Sequence, residues 1–134
     1  FTITTLDEEI RQFFEPKGSP ISKRIEALSL VKEMKINRYI FFGPMLPGLS
    51  DTSEVIVDMF ALAERMGIST LLIDVLNLYP RVWARVFRLI KTRFPALVSY
   101  YRWIYANPKC YRNIWRKRIL AEVKRFRVEF EICF

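Results

Sequence analysis

YIFFGPMLPGLSDTSEVIVDMFALAERMGISTLLIDVL, residues 39–76, decides the fold class. Tyr39-Ile40-Phe41-Phe42 is an unbroken apolar run of strand length, the pattern of a strand buried on both faces of a parallel sheet. Gly43-Pro44-Met45-Leu46-Pro47-Gly48-Leu49-Ser50 is punctuated by glycine and proline and reads as a loop. Asp51 or Thr52 then caps a helix whose apolar face is Val55, Ile56, Met59, Phe60, Ala63 and Met66, with Gly67 just past its end. Ile68 to Leu76 is a second apolar run, interrupted by Asp74. A helix between two such strands is too long a connection for a hairpin and makes a right-handed βαβ unit.

Working towards the N-terminus, Phe1-Thr2-Ile3-Thr4-Thr5 is β-branched and aromatic and predicts a strand. Thr5-Leu6-Asp7-Glu8 carries the T-x-x-E spacing of a capping box, and the short helix it opens should end at Glu15-Pro16, because a residue before proline avoids the α region. Lys17-Gly18 makes a turn. Ser19-Pro20 supplies an N-cap and a proline at the first helical position, and Ile21, Ile25, Leu28, Val31 and Met34 give an apolar face running to about Lys35. Residues 1–79 therefore predict βαβαβ, an α/β class with a parallel sheet.

Beyond residue 79 the pattern becomes helical. Pro80 opens a helix with Val82, Trp83, Val86, Phe87, Leu89 and Ile90 inward. Phe94-Pro95 and Asn107-Pro108 start two more, the last with Tyr111, Trp115, Ile119 and Val123 on one face. Val128, Phe130, Ile132 and Phe134 alternate with Glu129, Glu131 and Cys133, a period-2 strand with its acidic residues outward. Two parts are expected, residues 1–79 and a helical extension over 80–134. A chain that opens inside a strand, with an apolar sheet edge and a terminal strand seeking one, is expected to self-associate or to pair with a missing N-terminal half.

The 134 residues are 51% hydrophobic and 27% charged, which excludes a disordered tail. Histidine is absent, so imidazole bases and His-ligated metals are excluded within these residues. Cys110 and Cys133 are too few for a zinc or iron–sulfur site and are expected to be reduced and buried. With no apolar run of membrane-spanning length and no signal-peptide pattern, a soluble cytoplasmic protein is expected, without a membrane partner. Charge is lopsided: residues 1–79 hold 8 Lys/Arg against 11 Asp/Glu, whereas residues 80–134 hold 14 against 3. The basic half is a candidate surface for nucleic acid, through Arg81, Arg85 and Arg88 at helical spacing and through Arg112, Arg116 and Lys117.

Ligands of parallel α/β folds sit at the carboxyl ends of strands, which singles out Thr4-Thr5, Gly43 to Gly48 and Asp74 to Asn77. Asp74, a carboxylate in an apolar strand, needs a partner and marks a strand end or a functional position. Thr5 and Asp51 are each also explained as helix caps.

Thr4-Thr5-Leu6-Asp7-Glu8-Glu9, Phe14-Glu15-Pro16, Ser19-Pro20, Arg24-Ile25-Glu26-Ala27-Leu28 and Gly43-Pro44-Met45-Leu46-Pro47-Gly48-Leu49-Ser50-Asp51 follow one another in an order that resembles the C-terminal half of radical SAM enzymes of the spore photoproduct lyase-like group. The resemblance extends over about residues 1–90. It implies the C-terminal half of a partial (β/α)₆ TIM-type barrel. The whole family enzyme binds a [4Fe–4S] cluster and S-adenosylmethionine, and cleaves the latter reductively to a 5′-deoxyadenosyl radical. The family's three-cysteine cluster loop lies N-terminal to such a segment and is absent here, so no cofactor is expected on this chain alone. By the same resemblance Thr4 and Thr5 meet the cofactor's ribose and amino acid end. Leu46, Gly48 and Asp51 stand at the I, G and E of the family's G-x-I-x-G-x-x-E segment, with Gly43 opening the loop and Pro44 where the first glycine belongs. Asp74 to Asn77 would meet adenine, with Asn77 where many relatives carry arginine. The function expected is a fragment of a radical SAM enzyme acting on nucleic acid. The alternative is a nucleic-acid-binding or interaction domain with no catalysis of its own.

Overall fold

Four parallel strands pair in the order of the chain in the computed structural model, which describes residues 1–34 and 36–134. They are β1 (Thr2–Ile3), β2 (Tyr39–Met45), β3 (Thr70–Val75) and β4 (Glu129–Ile132). Among the described residues six α-helices connect them: α1 (Glu8–Phe14), α2 (Ile21–Lys32), α3 (Ser53–Met66), α4 (Pro80–Arg93), α5 (Val98–Ala106) and α6 (Pro108–Glu122). The protein is thus an α/β fold on a four-stranded parallel sheet.

Register aligns Ile3, Phe42, Ile73 and Ile132 in one row and Thr2, Phe41, Leu72 and Glu131 in the next. Because side chains alternate across a strand, the first row faces one way and the second the other. The Ile3 row packs under α2, α3 and α6 in one core that includes Leu28, Phe60, Trp115 and Ile119. The Thr2 row stays exposed or half-buried, with Glu129 and Glu131 open to solvent. Helices α2, α3 and α6 therefore cover one face of the sheet. Residues 80–134 share this core with residues 1–79: Tyr111, Trp115 and Ile119 of α6 are buried against it. Burial of one such side chain contributes about 1.5–3 kcal/mol.

Several expectations are corrected. The C-terminal strand does not wait for a partner; β4 extends the chain's own sheet beside β3, because Phe130 and Ile132 complete the apolar row that the edge of β3 would otherwise expose. The capping box of Thr5 and Glu8 does not form. Asp7 caps α1, its Oδ1 accepting from the amides of Glu9 (2.8 Å) and Ile10 (3.0 Å), while Thr5 Oγ1 accepts from Asp7 N–H. This frees Glu8 to pair with Arg11 and to accept from Ile21 N–H at 3.0 Å, so it caps α2 where Ser19 was expected to.

Helix α2 ends at Lys32, leaving Met34 63% exposed; Lys35 lies outside the described residues. Strand β2 runs on through Gly43-Pro44, joined by a cis peptide, to Met45, so the loop begins later than its punctuation implied. Thr52, not Asp51, caps α3. Both cysteines are exposed rather than buried, Cys133 because it falls on the outward register of the last strand and Cys110 on the outer face of α6. Among the described residues no helix is long and apolar enough to cross a membrane.

Candidate functional site

A cleft of about 530 Å³ opens at the carboxyl ends of β1, β2 and β3. Its floor is Leu46 and Leu76, which continue β2 and β3, and α4 forms the opposite wall with Val82, Val86 and Leu89. Polar groups enter at two places. Thr4, Glu15 and Gly43 stand on the strand side, and Arg81 and Arg85 on the helix side. Phe14 adds an aromatic side chain to the apolar lining, and a mostly apolar cleft with a few polar groups at its rims is the usual make-up of a small-molecule site.

Thr4 is placed by the end of β1 and is 5% exposed. Its hydroxyl contacts Glu15 Oε1 and lies 3.3 Å from the carbonyl of Gly43. The other oxygen of Glu15 accepts from Arg24 at 2.5 Å, and Arg24 also donates to the Thr2 carbonyl at 2.9 Å, on the outer edge of β1. Burial pushes the Glu15 carboxyl up, but the hydrogen bonds of Arg24 and Thr4, with the charges of Arg24 and Arg11, outweigh it and hold the group below its ordinary value. Arg11 is itself buried and donates to the carbonyls of Glu15 and Gly18, which pins the end of α1 at the cleft.

Gly43 has a steric reason to be glycine. A Cβ there would lie 3.0 Å from the backbone oxygen of Asp74 and 3.0 Å from the Phe41 ring. The following turn is held from within: Leu46 N–H donates to Ser50 Oγ at 2.8 Å, and Gly48, at φ +73°, donates to Asp51 Oδ1 at 2.6 Å.

The cleft thus gathers Thr4, Gly43 and Leu46 with Arg81 and Arg85. Thr5 is buried behind it. Gly48 turns away to meet Leu97 and lies beside Thr52, Tyr100 and Arg118. Asp74 accepts from the adjacent Val75 N–H, and Asn77 accepts from Tyr79 N–H in the turn before α4; neither lines the cleft. Arg88 continues the stripe of Arg81 and Arg85 onto the open surface. Arg112 and Arg116 border a separate shallow hollow with Lys109 and Phe134, and Lys117 is exposed nearby on α6. Val82, expected inward, is 39% exposed, because it faces the cleft.

Sequence reasoning missed Glu15 and Arg24 as a pair and Asp51 as a buried anchor. For Glu15 the available signal was its position at a helix end, immediately before Pro16. For Asp51 there was none, since its partners lie some sixty residues further on, in α6. No family model, curated protein or solved structure matches the chain.

Proposed function

We propose that the chain is the C-terminal part of a radical SAM-type barrel and that its cleft receives the adenosyl cofactor. The observation that carries this reading is the cleft's position: it lies at the carboxyl ends of parallel strands laid down in chain order, with helices α2, α3 and α6 on one face, while on the other Thr2 and Glu131 are exposed and Phe41 and Leu72 half-buried. A singly covered parallel sheet is the arrangement of a barrel wall, whereas a doubly wound sheet carries helices on both faces. On this reading the row of Thr2, Phe41, Leu72 and Glu131 faces the barrel interior, and residues outside this chain, or a second copy, complete the wall.

The lining supports the cofactor. Leu46, Leu76, Val82 and Val86 would hold adenine, and Arg81 and Arg85 would meet the methionyl carboxylate, while Glu15 stays with Arg24 and Thr4. When bound, and given one electron from a cluster held outside these residues, S-adenosylmethionine would supply a 5′-deoxyadenosyl radical with methionine as the leaving group. The residues here do not fit the cluster: among the described residues no three His, Cys, Asp or Glu side chains converge, and both cysteines are exposed. Cluster ligands would have to come from elsewhere.

A second reading, a polyanion such as nucleic acid running past the cleft, is favoured by Arg81, Arg85 and Arg88 on α4 and by Arg112 and Lys117 on α6. Among the described residues none of these five forms an ion pair. Without the cluster the cleft alone should hold the cofactor only weakly, rather than not at all, so the test is a titration of the ¹⁵N-labelled chain with S-adenosylmethionine into the millimolar range. Shifts concentrated at Thr4, Gly43, Leu46, Leu76 and Arg85 are expected. No shift at millimolar cofactor, or shifts confined to residues away from the cleft, would overturn the assignment.

A further inference from the structure

Asp51 lies outside the cleft, yet it joins the turn that supplies Leu46 to the helix on the far side of that turn. Its side chain is 2% exposed. One carboxylate oxygen accepts from Gly48 N–H at 2.6 Å; the other accepts from the Trp115 indole N–H at 2.8 Å and from the Tyr111 hydroxyl at 3.3 Å. Arg118 donates to the Asp51 carbonyl at 2.8 Å and stands 3.9 Å from the carboxylate. Tyr111, Trp115 and Arg118 all belong to α6, whereas Gly48 belongs to the turn whose carbonyl at Leu46 accepts from the amides of Leu49 and Ser50.

A buried carboxylate must be met by donors, and each donor has a direction. Three buried or part-buried donors converging from two parts of the chain therefore permit one placement of the turn relative to α6. An apolar contact would tolerate sliding; this arrangement does not. The Leu46 side chain is 2% exposed and forms part of the cleft floor, so where the turn sits decides the width of the floor.

We infer that Asp51, with Tyr111 and Trp115, is a positioning device through which the basic C-terminal helix sets the cleft floor. It contacts no ligand in the cleft. The inference rests on the proposed function only for the identity of that ligand.

The experiment compares Trp115→Phe and Tyr111→Phe with Ile119→Val, a substitution in the same helix and core that touches no polar partner. Three quantities are measured on the 134-residue chain: melting temperature, amide hydrogen exchange at Leu46, Gly48 and Ser50, and affinity for S-adenosylmethionine. Loss of a hydrogen bond to a charged group predicts at least about tenfold faster exchange at Gly48 and about tenfold weaker affinity in Trp115→Phe. Tyr111→Phe, whose bond is longer, should move both by about threefold and guards against a Trp115 variant that fails to fold. Ile119→Val should leave both within about twofold at a comparable loss of melting temperature. Equal exchange at Gly48 in all three variants, or equal loss in the Ile119 control, would overturn the device. If the unsubstituted chain binds no S-adenosylmethionine, the cofactor reading falls, and the exchange data still decide the role of Asp51.

Discussion

Replacing Asp51 by Asn tests the buried anchor most directly, because it alters one atom and the charge while leaving the volume nearly unchanged. Asn keeps one acceptor oxygen. If that oxygen stays with Trp115 and Tyr111, an NH₂ group faces Gly48 N–H across a distance that is now 2.6 Å; if it turns, the NH₂ faces two donors in the core instead. The better choice loses one charge-assisted hydrogen bond, about 1.5–3 kcal/mol, and weakens the remaining two, for a total of about 2–4 kcal/mol. An unfolding entropy of about 2.1 cal/mol/K per residue over 134 residues converts this to a fall of about 7–14 °C in melting temperature. Asp51→Ala, which strands every donor, should fall further, by about 3–5 kcal/mol in all. The assay is thermal unfolding followed by far-ultraviolet circular dichroism at pH 7. An Asn variant melting within about 2 °C of the unsubstituted chain would refute the reasoning, since the carboxylate could not then be receiving those donors.

Gly43→Ala should cost about 1–3 kcal/mol, or about 4–11 °C, since its Cβ meets the Asp74 backbone and β2 and β3 must part; an unchanged melting temperature would show that the strands already leave room. Glu15 is held below its ordinary value of 4.5, so its contribution is complete above that value and disappears as pH falls through the lowered one. Melting temperature should accordingly drop more steeply below pH 4.5 in the unsubstituted chain than in Glu15→Gln, and parallel curves would remove Glu15 from the account. Exchanging Arg81, Arg85 and Arg88 together for Ala should flatten the salt dependence of duplex DNA binding by up to about three units of log–log slope, at about 0.9 per phosphate neutralised. Filter binding across a salt series measures this, and an unchanged slope would assign the stripe to solvent.

What the amino-acid order determined is whatever depends on near neighbours. Apolar runs at Tyr39–Phe42 and Leu71–Ile73 became adjacent parallel strands, because Ile40, Phe41 and Phe42 pair with Leu71, Leu72 and Ile73 over a stretch with no polar side chain. Pro80, Pro95 and Pro108 opened the segments they were expected to open, since a fixed φ and a missing N–H suit the first turn of a helix. The outward position of Arg112, Arg116 and Lys117 followed from the apolar spacing of Tyr111, Trp115 and Ile119.

Only the tertiary structure decided which groups meet across long separations. Asp7 displaced Thr5 as the cap of α1, because Asp7 adopts an extended backbone from which its carboxylate reaches two amides, and Glu8 was thereby left to cap α2. Glu15 met Thr4 and Arg24, and Asp51 met Tyr111 and Trp115, through packing that no local spacing encodes. Of the strand-end residues legible in the sequence, Thr4, Gly43 and Leu46 reach the cleft while Thr5, Gly48, Asp74 and Asn77 bond within their own turns and strands. The physical reason is that sequence position places a residue at a strand end, whereas the direction of its side chain depends on which donors and acceptors the rest of the fold brings within about 3 Å.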